Sequence, residues 1–148
     1  MTHDPTTSVH RAAVDDVVTS LEGAWASGDA DAFAARFHPR ATLVGDAYMH
    51  DRDDIRAFMR HGFDGPYRGT RIAVRPVSVR AVDDAVCWAV TEGAVLVGDE
   101  VSPKDASADR AFVATVVLVR DDAGWQVISY QNDKGMSSAR PDAGPDRS

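Results

Sequence analysis

Apolar residues recur at three- and four-residue steps through the first half of the chain and tend to alternate with polar ones through the second. Val14, Val17, Val18, Leu21, Ala24 and Trp25 form one such stripe, which predicts an amphipathic helix ending at Gly28. Asp29 can cap a second helix that carries Ala32, Phe33 and Phe37 on one face and is stopped by Pro39. A short apolar strand follows over 41–45. Acids at Asp51 to Asp54 suit the positive end of a third helix, whose apolar face is Ile55, Phe58, Met59 and Phe63. Gly62, Gly65, Pro66 and Gly69 then break the chain. Beyond them, 71–82, 85–97, 110–120 and 125–133 read as long strands. Turns lie at Asp83-Asp84 and 121–124, and a polar loop at 99–109. Helices first and strands second predict an α+β fold. It would be a cone-shaped curved sheet, antiparallel or mixed, covered by three N-terminal helices, with an internal pocket at its open end. Residues 1–8 and 134–148 read as disordered tails, so a single domain is expected over 9–133.

Composition narrows the function classes. The 148 residues carry a net charge of -7, which argues against a nucleic-acid partner, because phosphate backbones call for a basic face. No apolar run is long enough to span a membrane, and the polar start lacks a signal-peptide core, so a cytoplasmic location is expected. Cys87 is the only cysteine and reads as a small buried hydrophobe. His3, His10, His38, His50 and His61 are scattered, and no metal site is expected from them. No Gly-rich phosphate loop and no nucleophile elbow occurs, so no cofactor is expected.

Four segments carry a resemblance. They are Trp25-Ala-Ser-Gly-Asp-Ala-Asp-Ala-Phe33, Phe37-His-Pro-Arg-Ala-Thr-Leu43, Phe63-Asp-Gly-Pro-Tyr-Arg-Gly-Thr-Arg71 and Gly124-Trp-Gln-Val-Ile-Ser-Tyr-Gln-Asn132. The first two resemble the helical half of the nuclear-transport-factor-2-like superfamily, which includes ketosteroid isomerases and SnoaL-type polyketide cyclases. The last two resemble its SgcJ/EcaC subgroup, whose members occur among the genes for enediyne antibiotics. The resemblance implies a cofactor-independent enzyme acting on a linear polyene or polyketide intermediate. The alternative is a non-catalytic protein that carries such an intermediate beside the polyketide synthase. It also implies a homodimer built on the outer sheet face. The steroid-isomerase roles do not transfer. The base falls on Gly45, beside Asp46, and the oxyanion groups fall on Leu21 and Thr115. With no redox cofactor motif, an oxidoreductase is expected still less.

The resemblance also implies which side chains face the pocket. These are Ile128, Tyr130 and Asn132 on the last strand, with Val113, Thr115 and Val117 on the strand before it. Cys87, Ala89, Thr91 and Gly93 would follow on the next strand, and Arg71, Ala73 and Arg75 on the first long one. Asn132, Tyr130, Asp46 and Thr115 are the candidate catalytic groups. Trp25, Leu21, Phe58, Met59, Arg75, Thr91, His61 and Ile128 are the candidate binding groups. Several have a plain structural alternative. Trp25 either stacks on a flat ligand or packs in the core. Arg75 either faces an anion or lies on the surface, and His61 either joins the pocket or is a solvated helix end.

Overall fold

The computed structural model describes residues 5–134; the first four residues and 135–148, which hold most of the two expected tails, lie outside the described residues. The elements run α1 (Pro5–Ala26), α2 (Ala30–Ala35), β1 (Phe37–Val44), β2 (Tyr48–Met49), α3 (Arg52–Asp64), β3 (Arg71–Asp83), β4 (Val86–Leu96), β5 (Ala111–Asp121) and β6 (Gly124–Lys134). Two short 3₁₀ turns, Pro103–Asp105 and Ala108–Arg110, lie between β4 and β5. The α1 helix thus starts inside the segment read as a tail, and β6 runs one residue past the expected end. Phe37 opens a strand rather than closing a helix: α2 stops at Ala35, and β1 runs straight through Pro39.

The six strands form one sheet in the order β2-β1-β6-β5-β4-β3, antiparallel except for the parallel β1–β6 pair. The sheet is therefore mixed, the second of the two forms expected. The helices cover one face, and the core lies between. Phe37, Ile55, Leu118, Val14, Val17 and Val127 are among the largest fully buried side chains. His10, which the sequence places at a tail edge, is only 1% exposed and meets Trp125 edge-on at 5.0 Å between ring centroids. No helix among the described residues is long and apolar enough to cross a membrane.

Polar side chains tie the layers together where the backbone ladder ends. Arg36 donates to Ser20 Oγ at 2.7 Å and to the Trp125 carbonyl at 3.1 Å, linking α1 to β6. Glu22 on α1 accepts the Val74 amide at 2.9 Å, which occupies an outward donor of the edge strand β3. The β4–β5 connection is pinned by Glu100. Its carboxylate accepts from both terminal nitrogens of Arg110, at 2.6 and 2.9 Å, and from the Val97 amide at 2.8 Å. The Arg110 hydrogen bonds, with the Val97 amide next, hold the Glu100 pKa at about 2, below its ordinary 4.5. A carboxyl with a lowered folded pKa adds stability that is complete above its unfolded pKa and is lost as pH falls toward the folded one. Stability should therefore fall between about pH 4.5 and 2. In Arg110→Gln that part of the fall should be shallower, as read from urea melts at pH 5 and pH 2.5.

Candidate active site

Between the helices and the sheet lies a cavity of about 140 Å³. Four elements supply most of its apolar wall: Leu21 and Trp25 from α1, Phe58 and Met59 from α3, Ile72 and Val74 from β3, and Phe112, Val116 and Leu118 from β5. Among the described residues, the polar side chains at its surface are few. Tyr130 and Asn132 from β6, Thr91 from β4, Tyr67 from the turn after α3, and Asp46 from the β1–β2 turn are the main ones.

The strand register explains which expectations survive. Cross-strand partners share a face. Thr91 pairs with Ala114, Ala89 with Val116 and Cys87 with Leu118, so the even-numbered residues of β5 point inward. Thr115 lies on the opposite face, exposed to solvent, and cannot serve as a catalytic group in this cavity. Val113 and Val117 share its face. The β3 strand shows the same one-residue offset. Ile72 and Val74 line the cavity, while the Arg75 side chain is 64% exposed and paired with Glu92 across the strands. On β6, Ser129 pairs with Val117 and Val127 with Leu118, which leaves Ile128 as the extra residue of a bulge. The inward place expected of Ile128 is taken by Val127, which is fully buried. His61 is exposed near the end of α3 and takes no part in the wall.

The remaining candidates come together: Trp25, Leu21, Phe58, Met59, Thr91, Tyr130, Asn132 and Asp46 all line the cavity. The Thr91 hydroxyl is turned to the Ala114 carbonyl at 3.4 Å and so serves the sheet. Trp25 packs in the core and also reaches the cavity. It is 9% exposed, stands edge-on to Phe33 and Phe63, and still faces the cavity. Its Nε1–H donates to Thr70 Oγ1 at 2.9 Å. Cys87 is buried in the core away from the cavity wall, and burial raises its thiol to about 11, so it is not a nucleophile.

The polar corner is built by Tyr130 and Asn132. Two residues apart on one strand, they share a face, and Asn132 Nδ2 donates to the Tyr130 phenol oxygen at 3.3 Å. Burial raises the Tyr130 pKa to about 12 against the opposing effect of that hydrogen bond. Tyr130 is thus a neutral phenol whose oxygen already accepts from Asn132, leaving its own proton to be donated to a ligand. Gly45, just past β1 in the β1–β2 turn, makes room for this pair. A Cβ there would stand 3.1 Å from Asn132 Oδ1, so a larger side chain at Gly45 and the present Asn132 compete for one space. Asp46, next along the turn, is exposed at the rim.

Two features complete the wall. The Gly-Pro loop that carries Tyr67 and Arg68 reads from the sequence either as pocket rim or as a plain turn; Tyr67 forms cavity wall and lies 4.8 Å from the Trp25 ring between centroids. Gly62 lies within α3, where glycine costs roughly 0.5–1 kcal/mol relative to alanine. A Cβ there would fall 2.4 Å from Tyr67 Cδ2, so the Tyr67 ring rests on the bare helix backbone. A glycine inside an otherwise regular helix was the available signal. On the surface, His50, Asp51 and Asp54 cluster, but they form the start of α3: Asp51 Oδ1 accepts the Asp54 amide at 2.9 Å, and His50 Nδ1 meets Asp54 Oδ2 at 2.5 Å.

The pattern of the SnoaL-like domain family matches residues 14–132. The chain belongs to this family. Solved structures share the fold. A cystatin-like domain from Nostoc punctiforme superposes with a TM-score of 0.76 at 24% identity, over 89% of this chain and 81% of that one. An NTF2-like protein with a cystatin-like fold from Novosphingobium aromaticivorans gives 0.70 at 20% identity, over 89% and 86%. A protein titled a scytalone dehydratase, by inference only, from the same organism gives 0.69 at 13%, over 93% of each chain. Comparison with the curated proteins gave no match. At these identities the solved structures speak for the fold alone.

Proposed function

We propose that this SnoaL-like protein is a cofactor-independent enzyme that acts on a largely hydrocarbon, polyketide-type substrate by acid–base chemistry at the Tyr130–Asn132 corner. The observation that carries the reading is the placement of the neutral Tyr130 phenol, hydrogen-bonded to Asn132, in a mostly apolar cavity. Such a wall binds unsaturated carbon chain by burial, and the Tyr130 donor fixes a carbonyl or hydroxyl against it. A donor aimed where negative charge develops stabilises an enolate or alkoxide more in the transition state than in the ground state. The Asp46 carboxylate at the rim is the base that would take or return the proton. The Gly-Pro-Tyr-Arg-Gly segment at 65–69 and the Tyr-Gln-Asn ending at 130–132 resemble the SgcJ/EcaC subgroup, which supports a linear polyene of enediyne core formation as the substrate.

A second reading is that the protein only binds and carries the intermediate. It is favoured by Gly45, Leu21 and the outward Thr115 standing where steroid isomerases hold their working groups. An enediyne-producing strain lacking the gene separates the two. Deletion should abolish the antibiotic, and the intact gene should restore it. Tyr130→Phe and Asn132→Leu should fail to restore it if the protein is an enzyme. They should restore it fully if the protein is a carrier, whereas filling the cavity by Val116→Trp should abolish either role. Normal titre in the deletion strain sinks both readings.

A further inference from the structure

The cavity has a deep end and an open end, and burial along its wall marks them. Leu118, Phe37, Val14 and Val17 line it and are each at most 1% exposed. Ile72, Val95 and Asn132 line it half-buried, and Asp46 lines it exposed. Strand pairing separates the two sets along the sheet. Leu118 is level with Val127, and Val127 with Phe37. Asn132 is level with Ala114, four residues from Leu118 along β5, which is about 13 Å. Gly45 abuts Asn132 at this end, and Ile72 pairs with Val95 beyond it. The Tyr130–Asn132 corner therefore lies toward the mouth. The wall side chains at the deep end, Leu118, Phe37, Val14 and Val17, are all apolar.

We infer that the substrate enters hydrocarbon end first, that its last carbons, about six, fill the deep end, and that its reacting carbonyl is held at the mouth. The rest of the chain passes out beside Asp46. The length follows from the space: the cavity is about 140 Å³, and an apolar cavity of roughly that size holds one benzene, six carbons. The direction follows from polarity. A carbonyl pushed to the deep end would lose its water and meet only apolar side chains, whereas at the mouth it meets the Tyr130 phenol. This rests on the reading of the cavity as the substrate site and of Tyr130 as its donor. Leu118 and Val17 are then specificity-determining residues, because the floor they form sets how far the reacting carbonyl stands from the chain end.

Straight-chain methyl ketones, from methyl propyl to methyl nonyl ketone, titrated calorimetrically into the full chain, test the inference. Each carbon that finds apolar wall tightens binding about fourfold, so methyl hexyl ketone should bind about 60-fold more tightly than methyl propyl ketone. Past the floor the gain should reverse, with methyl nonyl ketone roughly tenfold weaker than methyl hexyl ketone. Leu118→Ala and the milder Val17→Ala should each move the optimum to a longer tail, by roughly two carbons and one. Val95→Ala, at the open end, should leave the optimum where it is. The carbonyl stretch of bound methyl hexyl ketone should fall below its frequency in hexane, and Tyr130→Phe should abolish that fall. Affinity that keeps rising through the nonyl tail, an optimum unmoved in the floor variants, or an unshifted carbonyl overturns the inference while leaving the cavity as a site. Failure of every ketone to bind overturns the cavity reading, and this inference with it.

Discussion

Tyr130→Phe should leave the fold and ligand binding nearly intact and slow turnover about 100- to 1,000-fold, the usual effect of removing one preorganised donor to a developing oxyanion. The ring is kept, so the packing around it is kept. What is lost is the phenol proton and the acceptor that Asn132 Nδ2 now uses at 3.3 Å. The stranded amide should lower stability by about 1 kcal/mol, a small change beside the kinetic one. Burial raises the Tyr130 pKa to about 12, so the phenol keeps its proton across the neutral range and the proposed mechanism uses it as the donor rather than the base. Its loss should therefore lower the rate evenly from pH 6 to 9, leaving any pH dependence set by other groups. Asp46→Asn should instead lower turnover chiefly by removing the carboxylate, with ligand affinity unchanged. Single-turnover rates beside calorimetric affinities distinguish these outcomes. Equal losses in rate and affinity for Tyr130→Phe would show that the phenol serves only to bind.

Gly93→Ala should be the most damaging single-methyl addition in the sheet. The added Cβ would fall 2.4 Å from the Ala73 carbonyl oxygen, 3.0 Å from Phe112 Cζ and 3.2 Å from Val74 Cα. Phe112 can turn aside, but the other two contacts are backbone of the paired strand β3 and yield only if β3 and β4 separate. Overpacking of this kind costs typically 1–3 kcal/mol. At this chain length that lowers the melting temperature by roughly 3–10 °C. Gly45→Ala is the internal control, because its Cβ meets only the movable Asn132 side chain at 3.1 Å. It should melt near the parent temperature while disturbing the Tyr130–Asn132 pair. A Gly93→Ala protein as stable as its parent would show that β3 and β4 are not paired as described.

The local elements were legible in the chain because each depends on near neighbours. The α1 stripe from Val14 to Trp25, the Asp51 cap of α3 and the turns at Asp83-Asp84 and 121–124 are written in spacing and turn chemistry. The SnoaL-like family and part of the cavity wall, including Leu21, Trp25, Phe58, Met59, Tyr130 and Asn132, follow from these elements and the resemblance they carry. What the sequence could not decide is the face of a long strand. Alternation has a period of two, so a one-residue offset exchanges every inward side chain for an outward one. Thr115 and Arg75 were lost from the site in this way, and Ile128 through a bulge that no turn residue announces. Only the pairing of β4 with β3 and β5, and of β5 with β6, sets those faces. Tyr67 likewise became a wall only when the turn after α3 met Trp25 of α1, a contact between segments far apart in the chain. The chain alone therefore determined most of the elements and the family they make, since spacing and turn chemistry are short-range, while the exact ends of α1, α2 and β1 were not. Which polar groups meet in the cavity was decided by the tertiary structure, since register and inter-element contact are long-range ones.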